Sequence, residues 1–244
     1  MIQNIDLSKI LFLDIETVSE KAEFGKLDAN FQKLWAHKSR QFVDDNTDME
    51  AVSQSYQGKA GIFAEFSKIV CISVGFLRKE GKDWFFRLKS FYGDDEKEIL
   101  EDFSKLINRN YNNPLNSYFC GHNIKEFDIP FMCRRMVING LEIPEVMQVS
   151  GKKPWEIKHF IDTLELWKFG DYKNFTSLNL LAAVLNVPSP KDDIDGSQVG
   201  RVYWEEKDLP RIAVYCQKDV QTVMQVLMRL QGMPILNDDQ IEIS

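Results

Sequence analysis

Four cysteines and three histidines are few for 244 residues, and none is spaced as a metal site. Cys71, Cys120, Cys133 and Cys216 form no Cys-x-x-Cys pair. That excludes a zinc ribbon and a disulfide framework, and the expectation is reduced thiols in a cytoplasmic protein. His37 and His159 have no ligand spacing and read as surface or satisfied core residues. No apolar run approaches the ~20 residues of a membrane helix, and Met1-Ile2-Gln3-Asn4-Ile5-Asp6-Leu7 lacks the basic start and apolar core of a secretory signal. Gly-x-Gly-x-x-Gly and the Walker loop are both missing, which removes the common nucleotide-binding loops. Basic charge is in deficit: 30 Lys and Arg face 37 Asp and Glu, a net −7 at pH 7, which argues against coating nucleic acid by charge alone. Lys191-Asp192-Asp193-Ile194-Asp195-Gly196 resembles a calcium loop only superficially, because its first position is Lys191 and its twelfth is Val202 rather than Glu. There is no repeat, linker or low-complexity block.

What the chain does have is a packable core. Its hydrophobic fraction of 44% and aromatic fraction of 12% suit a globular protein of one large domain or two small ones. Ile10 to Ile15 is nearly unbroken apolar sequence, the pattern of a central strand buried on both faces. Ile69 to Phe76 and Trp84 to Phe91 read as two further strands, joined as a hairpin through Lys79-Glu80-Gly81-Lys82. Asp94 is placed to cap a helix carrying Ile99, Phe103, Leu106 and Ile107 at helical spacing. Ser117 to Gly121 is a short strand leading into a helix from about Pro130 to Asn139, ended by Gly140. Phe160 to Leu166 is a strand or a strand-to-helix junction. Leu178 to Leu185 is a helix stopped by Pro188. A long helix over Leu209 to Leu230 carries an apolar stripe from Ile212 to Leu230. Residues 20–60, with Phe24, Phe31 and Trp35, read as a helical excursion outside the sheet. The order of elements predicts one mixed α/β domain spanning 1–244, with 20–60 as an insertion.

Two acids close the first strand, in Leu13-Asp14-Ile15-Glu16-Thr17. Alternation puts Asp14 and Glu16 on one face. Carboxylates are costly at the tip of an apolar strand, they repel each other there, and the usual remedy is a divalent cation with oxygen ligands. The bland alternative is that both emerge into solvent. Asp128 precedes Ile129-Pro130 at a helix start, where an N-cap is the ordinary role; one carboxylate oxygen can cap while the other faces a metal. Tyr215 and Asp219 lie four apart on a helix, hence on one face. Alone, that pair also fits a core tyrosine beside a solvated acid.

Together, Asp14-Ile15-Glu16-Thr17, Asn123 through Phe127-Asp128, and Tyr215 through Asp219 resemble the DEDD exonuclease superfamily in its tyrosine subtype. They are most similar to the free-standing predicted 3′–5′ exonucleases related to the proofreading domain of family-B DNA polymerases. Asp192 through Val199, with Asp195-Gly196-Ser197, adds to the likeness, which runs over nearly the whole chain. The resemblance implies a ribonuclease-H-like fold, a mixed sheet of about five strands with helices on both faces. It also implies a 3′–5′ exonuclease that hydrolyses single-stranded nucleic acid ends, DNA favoured over RNA, to nucleoside 5′-monophosphates.

The resemblance further implies two divalent ions, Mg2+ or Mn2+. Asp14 would bridge them, Glu16 and Asp219 would complete one shell, and Asp128 would serve the other ion. Tyr215 would orient the attacking water. His122 is expected to be structural or substrate-adjacent, since the histidine subtype would need His where Tyr215 stands. For the substrate, Phe127 resembles the family aromatic that packs on a terminal base, with a core phenylalanine as the alternative. Asn123 could bond the terminal nucleotide or its own turn, Thr17 could offer a backbone N–H or its hydroxyl near the 3′ end, and Lys191 could meet a phosphate or remain a solvated loop lysine. The expected partner is nucleic acid with a free 3′ end, with no membrane and no covalently attached polymerase. The competing readings are a catalytically inactive nucleic-acid-binding protein of the same fold and an endonuclease of the wider ribonuclease-H-like class.

Overall fold

The computed structural model describes residues 5–45, 47–171, 173–188 and 194–244. Six strands form one mixed sheet in the order β5-β4-β1-β2-β3-β6. They are β1 (Ile10–Ser19), β2 (Ser67–Glu80), β3 (Asp83–Tyr92), β4 (Tyr118–Gly121), β5 (Phe160–Asp162) and β6 (Ile241–Ile243). β1 is central, antiparallel to β2 and parallel to β4, and β4 is parallel to β5. The sixth strand, β6, is added by the segment after the last helix and runs parallel to β3.

Eight α-helices accompany the sheet among the described residues: α1 (Ala29–Lys38), α2 (Met49–Lys59), α3 (Glu96–Asn110), α4 (Asp128–Ile138), α5 (Thr163–Lys168), α6 (Leu178–Val184), α7 (Val199–Arg201) and α8 (Leu209–Leu230). None is long and apolar enough to cross a membrane. The α8 limits are those the apolar stripe predicts. Of the two readings of Phe160 to Leu166, the strand-to-helix junction holds: it divides at Asp162, whose carboxylate accepts from Leu164 N–H at 3.0 Å and so starts α5. The cap of α3 is Asp95, not Asp94: the Asp95 carboxylate accepts from the N–H groups of Lys97 and Glu98, while Asp94 accepts from the Tyr203 hydroxyl at 2.6 Å.

Strand alternation divides the core into two layers. Leu11, Leu13 and Ile15 enter a cluster with Ile99, Phe103, Ile129 and Met132 from α3 and α4. Ile10 and Phe12 enter another with Val220, Val223 and Met224 from α8. Gly75 lets β2 and β3 close over this layer, because a Cβ there would sit 2.3 Å from the Phe86 ring. Residues 20–60 build a cluster of their own around the fully buried Trp35 and Tyr56. A buried ion pair ties α4 to α3 beside it, with Arg135 Nε donating to Glu96 Oε1 at 2.8 Å and Nη1 to the Ala64 carbonyl at 2.8 Å, and Arg135 Nη2 reaches Glu20 Oε2 at 3.7 Å.

Candidate active site

The same alternation sends Asp14 and Glu16 to the α8 side of the sheet, in line with Phe12. A β-bulge follows at once: Glu16 pairs with Cys71 but Thr17 with Ile69. A bulge turns the side chains beyond it and marks strand ends beside sites. From α8, Cys216 places its Sγ 3.4 Å from Asp14 Oδ2, and one ligand atom from each of Asp14, Glu16 and Cys216 lies within 4.8 Å of the others. One residue back on α8, the Tyr215 hydroxyl donates to the Asp219 carboxylate, the pairing that a spacing of four allows.

Asp128 arrives from the opposite layer. It is not the N-cap of α4; Phe127 is, and Asp128 stands in the first turn. Its own N–H and the backbone N–H of Ile15, the residue between Asp14 and Glu16, act on its carboxylate and favour its charge. That proximity sets the loop after β4 against the tip of β1.

Electrostatics record the convergence. Burial pushes the Asp14 carboxyl well above its ordinary range, and the charges of Asp219 and Asp128 push it further. Glu16 is raised by burial, then by Asp14 and Asp219. It is 8% exposed, and its carboxylate accepts no hydrogen bond among the described residues. Asp128 is pushed up to about 7, first by burial and then by Asp162 and Asp219, against the two N–H donors that stabilise its charge. Tyr215 is driven far up by burial and by the carboxylates of Asp219, Glu16 and Asp14, so it stays a protonated phenol. Asp14, Glu16 and Asp128 thus lose hydration and feel the charge of Asp219, a set of oxygen donors that a hard divalent cation fits.

The other sequence-derived residues fare unequally. The Thr17 hydroxyl donates to the Gly61 carbonyl at 2.8 Å and is thereby committed to the 20–60 region. Asn123 holds a left-handed backbone, φ 64°, and its carbonyl accepts from Phe127 N–H at 2.9 Å, so its main chain closes the turn. Phe127 is half-buried with its ring 5.3 Å from that of Phe131. His122 is structural: Nε2 donates to the Thr176 carbonyl at 2.9 Å and Nδ1 lies 2.9 Å from the Thr163 hydroxyl. His159 is a satisfied core residue, donating to the Val146 carbonyl at 3.0 Å. Lys191, with Asp192 and Asp193, lies outside the described residues. Of the adjoining motif, Gly196 lies beside the tyrosine, where a Cβ would be 4.0 Å from the Tyr215 hydroxyl.

Two participants escape the sequence reading. Cys216 is a buried thiol at Asp14. Asp162 is a buried acid whose Oδ1 accepts from Asn123 N–H at 2.9 Å and from Leu164 N–H, holding the turn that delivers Asp128. Asp162-Thr163-Leu164-Glu165 carries the acid-x-x-Glu signature of a helix start, a signal that was available.

No curated protein matches the chain. Among solved structures, the family B DNA polymerase from the hyperthermophilic archaeon Pyrobaculum calidifontis superposes on 90% of the chain with a TM-score of 0.56 at 14% identity. That likeness shows the shared fold, and the chain spans only 24% of the polymerase. The mixed six-stranded sheet flanked by helices is ribonuclease-H-like. Residues 61–239 match a family described as predicted 3′–5′ exonucleases related to the exonuclease domain of PolB; Asp14 and Glu16 precede that segment. With well over half its length matched, the chain belongs to this family of predicted 3′–5′ exonucleases.

Proposed function

We propose that Asp14, Glu16, Asp128 and Asp219 hold two divalent cations, Mg2+ or Mn2+, and that with Tyr215 they hydrolyse the terminal phosphodiester at the 3′ end of single-stranded nucleic acid, DNA in preference to RNA, releasing a nucleoside 5′-monophosphate. The single observation that carries this reading is that Asp219 and Asp128 both act on the Asp14 carboxyl, so the acids of all three motifs share one neighbourhood. The unpartnered, buried Glu16 supports it, since a desolvated carboxylate calls for a cation.

When bound, such a pair of ions lowers the pKa of water and neutralises charge on the attacking and leaving oxygens. The chain's own residues supply position. Asp14 and Glu16 are set by the strand, Asp219 by α8 and Asp128 by the first turn of α4. Tyr215, kept protonated, donates its one O–H to Asp219 and would accept from a water beside it, and works by orientation rather than as a base. Asn123 and Phe127 form the wall next to Asp128, where a terminal nucleotide would sit, and the Thr17 backbone lies at the bulge. The described residues would then make one exonuclease domain with 20–60 inserted in it.

The test is a 5′-labelled single strand incubated with the protein and Mg2+ or Mn2+. Stepwise shortening from the 3′ end, absent in chelator and absent on a circular strand, is expected. Cleavage of the circle would replace this reading with an endonuclease.

A further inference from the structure

Phe169 and Phe175 are each 67% exposed on the short segment that follows α5. Two exposed rings so close in sequence are informative as a pair, where a lone exposed ring is not. Phe169 also holds a left-handed backbone, φ 46°, a conformation that side chains bearing a Cβ adopt at a cost. Lysines interleave with the rings: Lys168 Nζ stands 4.2 Å from the centre of the Phe175 ring, and Lys173 is exposed between the two phenylalanines. Alternating cations and exposed aromatics within an acidic protein are the footprint of single-strand binding.

The segment sits at the right edge. β1, β4 and β5 are parallel neighbours, so their carboxyl ends share one side of the sheet. That side carries Glu16, the turn leading to Asp128, and Asp162. α5 leaves from Asp162, and the chain returns at Thr176, where the carbonyl takes the His122 Nε2 bond at 2.9 Å. The two phenylalanines are therefore fastened to the loop that delivers Asp128. Ligands of open sheets containing parallel strands collect at this edge.

We infer that Phe169 and Phe175 form a stacking platform for single-stranded nucleic acid, receiving bases upstream of the 3′-terminal nucleotide, with Lys168 and Lys173 beside its phosphates. The inference rests on the exonuclease reading only for the direction in which the strand runs. Rings of this kind stack on any base, so the platform is indifferent to sequence, and it excludes paired bases because their faces are already covered.

The experiment measures binding of 5′-fluorescein dT12, rU12 and a 12-base-pair duplex by anisotropy in chelator, where no strand is cut. Phe169→Ala and Phe175→Ala should each weaken single-strand binding roughly tenfold, and the double variant more. Trp155→Ala, which removes an equally prominent ring (65% exposed) ahead of β5, should leave binding unchanged. Loss with either strand supports the platform and names the sugar it serves. A double variant that binds dT12 and rU12 as wild type does, or a wild type that prefers the duplex, would overturn it. Hydrolysis in Mn2+ is scored separately. A protein that needs these rings to bind dT12 yet never shortens it would refute the exonuclease reading and keep the platform.

Discussion

Cys216 Sγ lies 3.4 Å from both the carboxylate Oδ2 and the carbonyl oxygen of Asp14. The thiol therefore holds the central acid of β1 to α8 and, as a donor, partly offsets the burial that pushes the Asp14 carboxyl upward. Cys216→Ala should remove that donor and leave a small void. We expect a stability loss of about 1–2 kcal/mol and weaker Mn2+ binding, because the carboxylate becomes harder to ionise. Calorimetric metal titration checks it, and unchanged affinity would show the contact to be packing alone.

Asp14→Asn should lower kcat by about a thousandfold or more, the scale of losing several kcal/mol of charge stabilisation. In chelator the same change should not destabilise the fold, because it removes a desolvated charge from among three others. A strand-shortening assay paired with thermal denaturation separates the two effects. Wild-type-like shortening would refute the assignment.

Asp128→Asn carries a signed pH prediction. The carboxyl titrates near 3.9 unfolded and is pushed up to about 7 in the fold. Between those values the folded protein binds the extra proton, so the contribution of this group is full below pH 4 and is lost as pH rises toward 7. In chelator, the variant should match wild type near pH 4.5 and exceed it by about 2 kcal/mol or more at pH 8. Equal melting temperatures of variant and wild type at both pH values would mean that the fold does not raise the Asp128 carboxyl.

Tyr215→Phe should slow turnover by about ten- to a hundredfold, the worth of one orienting hydrogen bond to a charged group, while leaving metal affinity close to wild type. Because the phenol is held protonated, neither form should show a rate limb from this residue below pH 9. Such a limb, lost on substitution, would make Tyr215 a base.

Asp162→Ala removes the acceptor shared by Asn123 and Leu164 N–H. Buried donors left without partners cost about 1–3 kcal/mol each. We expect a loss of about 2–4 kcal/mol and a rise in KM from the loosened turn. Denaturant titration and single-strand kinetics measure both, and rescue by Asp162→Asn, which keeps an acceptor, would identify the hydrogen bonds rather than the charge as the cause.

The sequence by itself determined the central strand, the long last helix, the hairpin at Gly81 and the acidic candidates. Those features are local: uninterrupted apolar residues, a 3.6-residue stripe, a glycine at φ 62° and acids placed against hydrophobic periodicity. The cap of α3 slipped by one residue, from Asp94 to Asp95, because both are acids and only the Tyr203 hydroxyl, more than a hundred residues away, distinguishes them. Tertiary structure alone decided that Asp128 reaches across to Ile15 N–H, that Cys216 touches Asp14, that Thr17 spends its hydroxyl on Gly61, and that β6 returns to extend the sheet. Each of these joins residues dozens to more than two hundred positions apart, and periodicity carries no information about such pairs. The first two exist because burying two faces of one strand brings α4 and α8 to its tip from opposite sides.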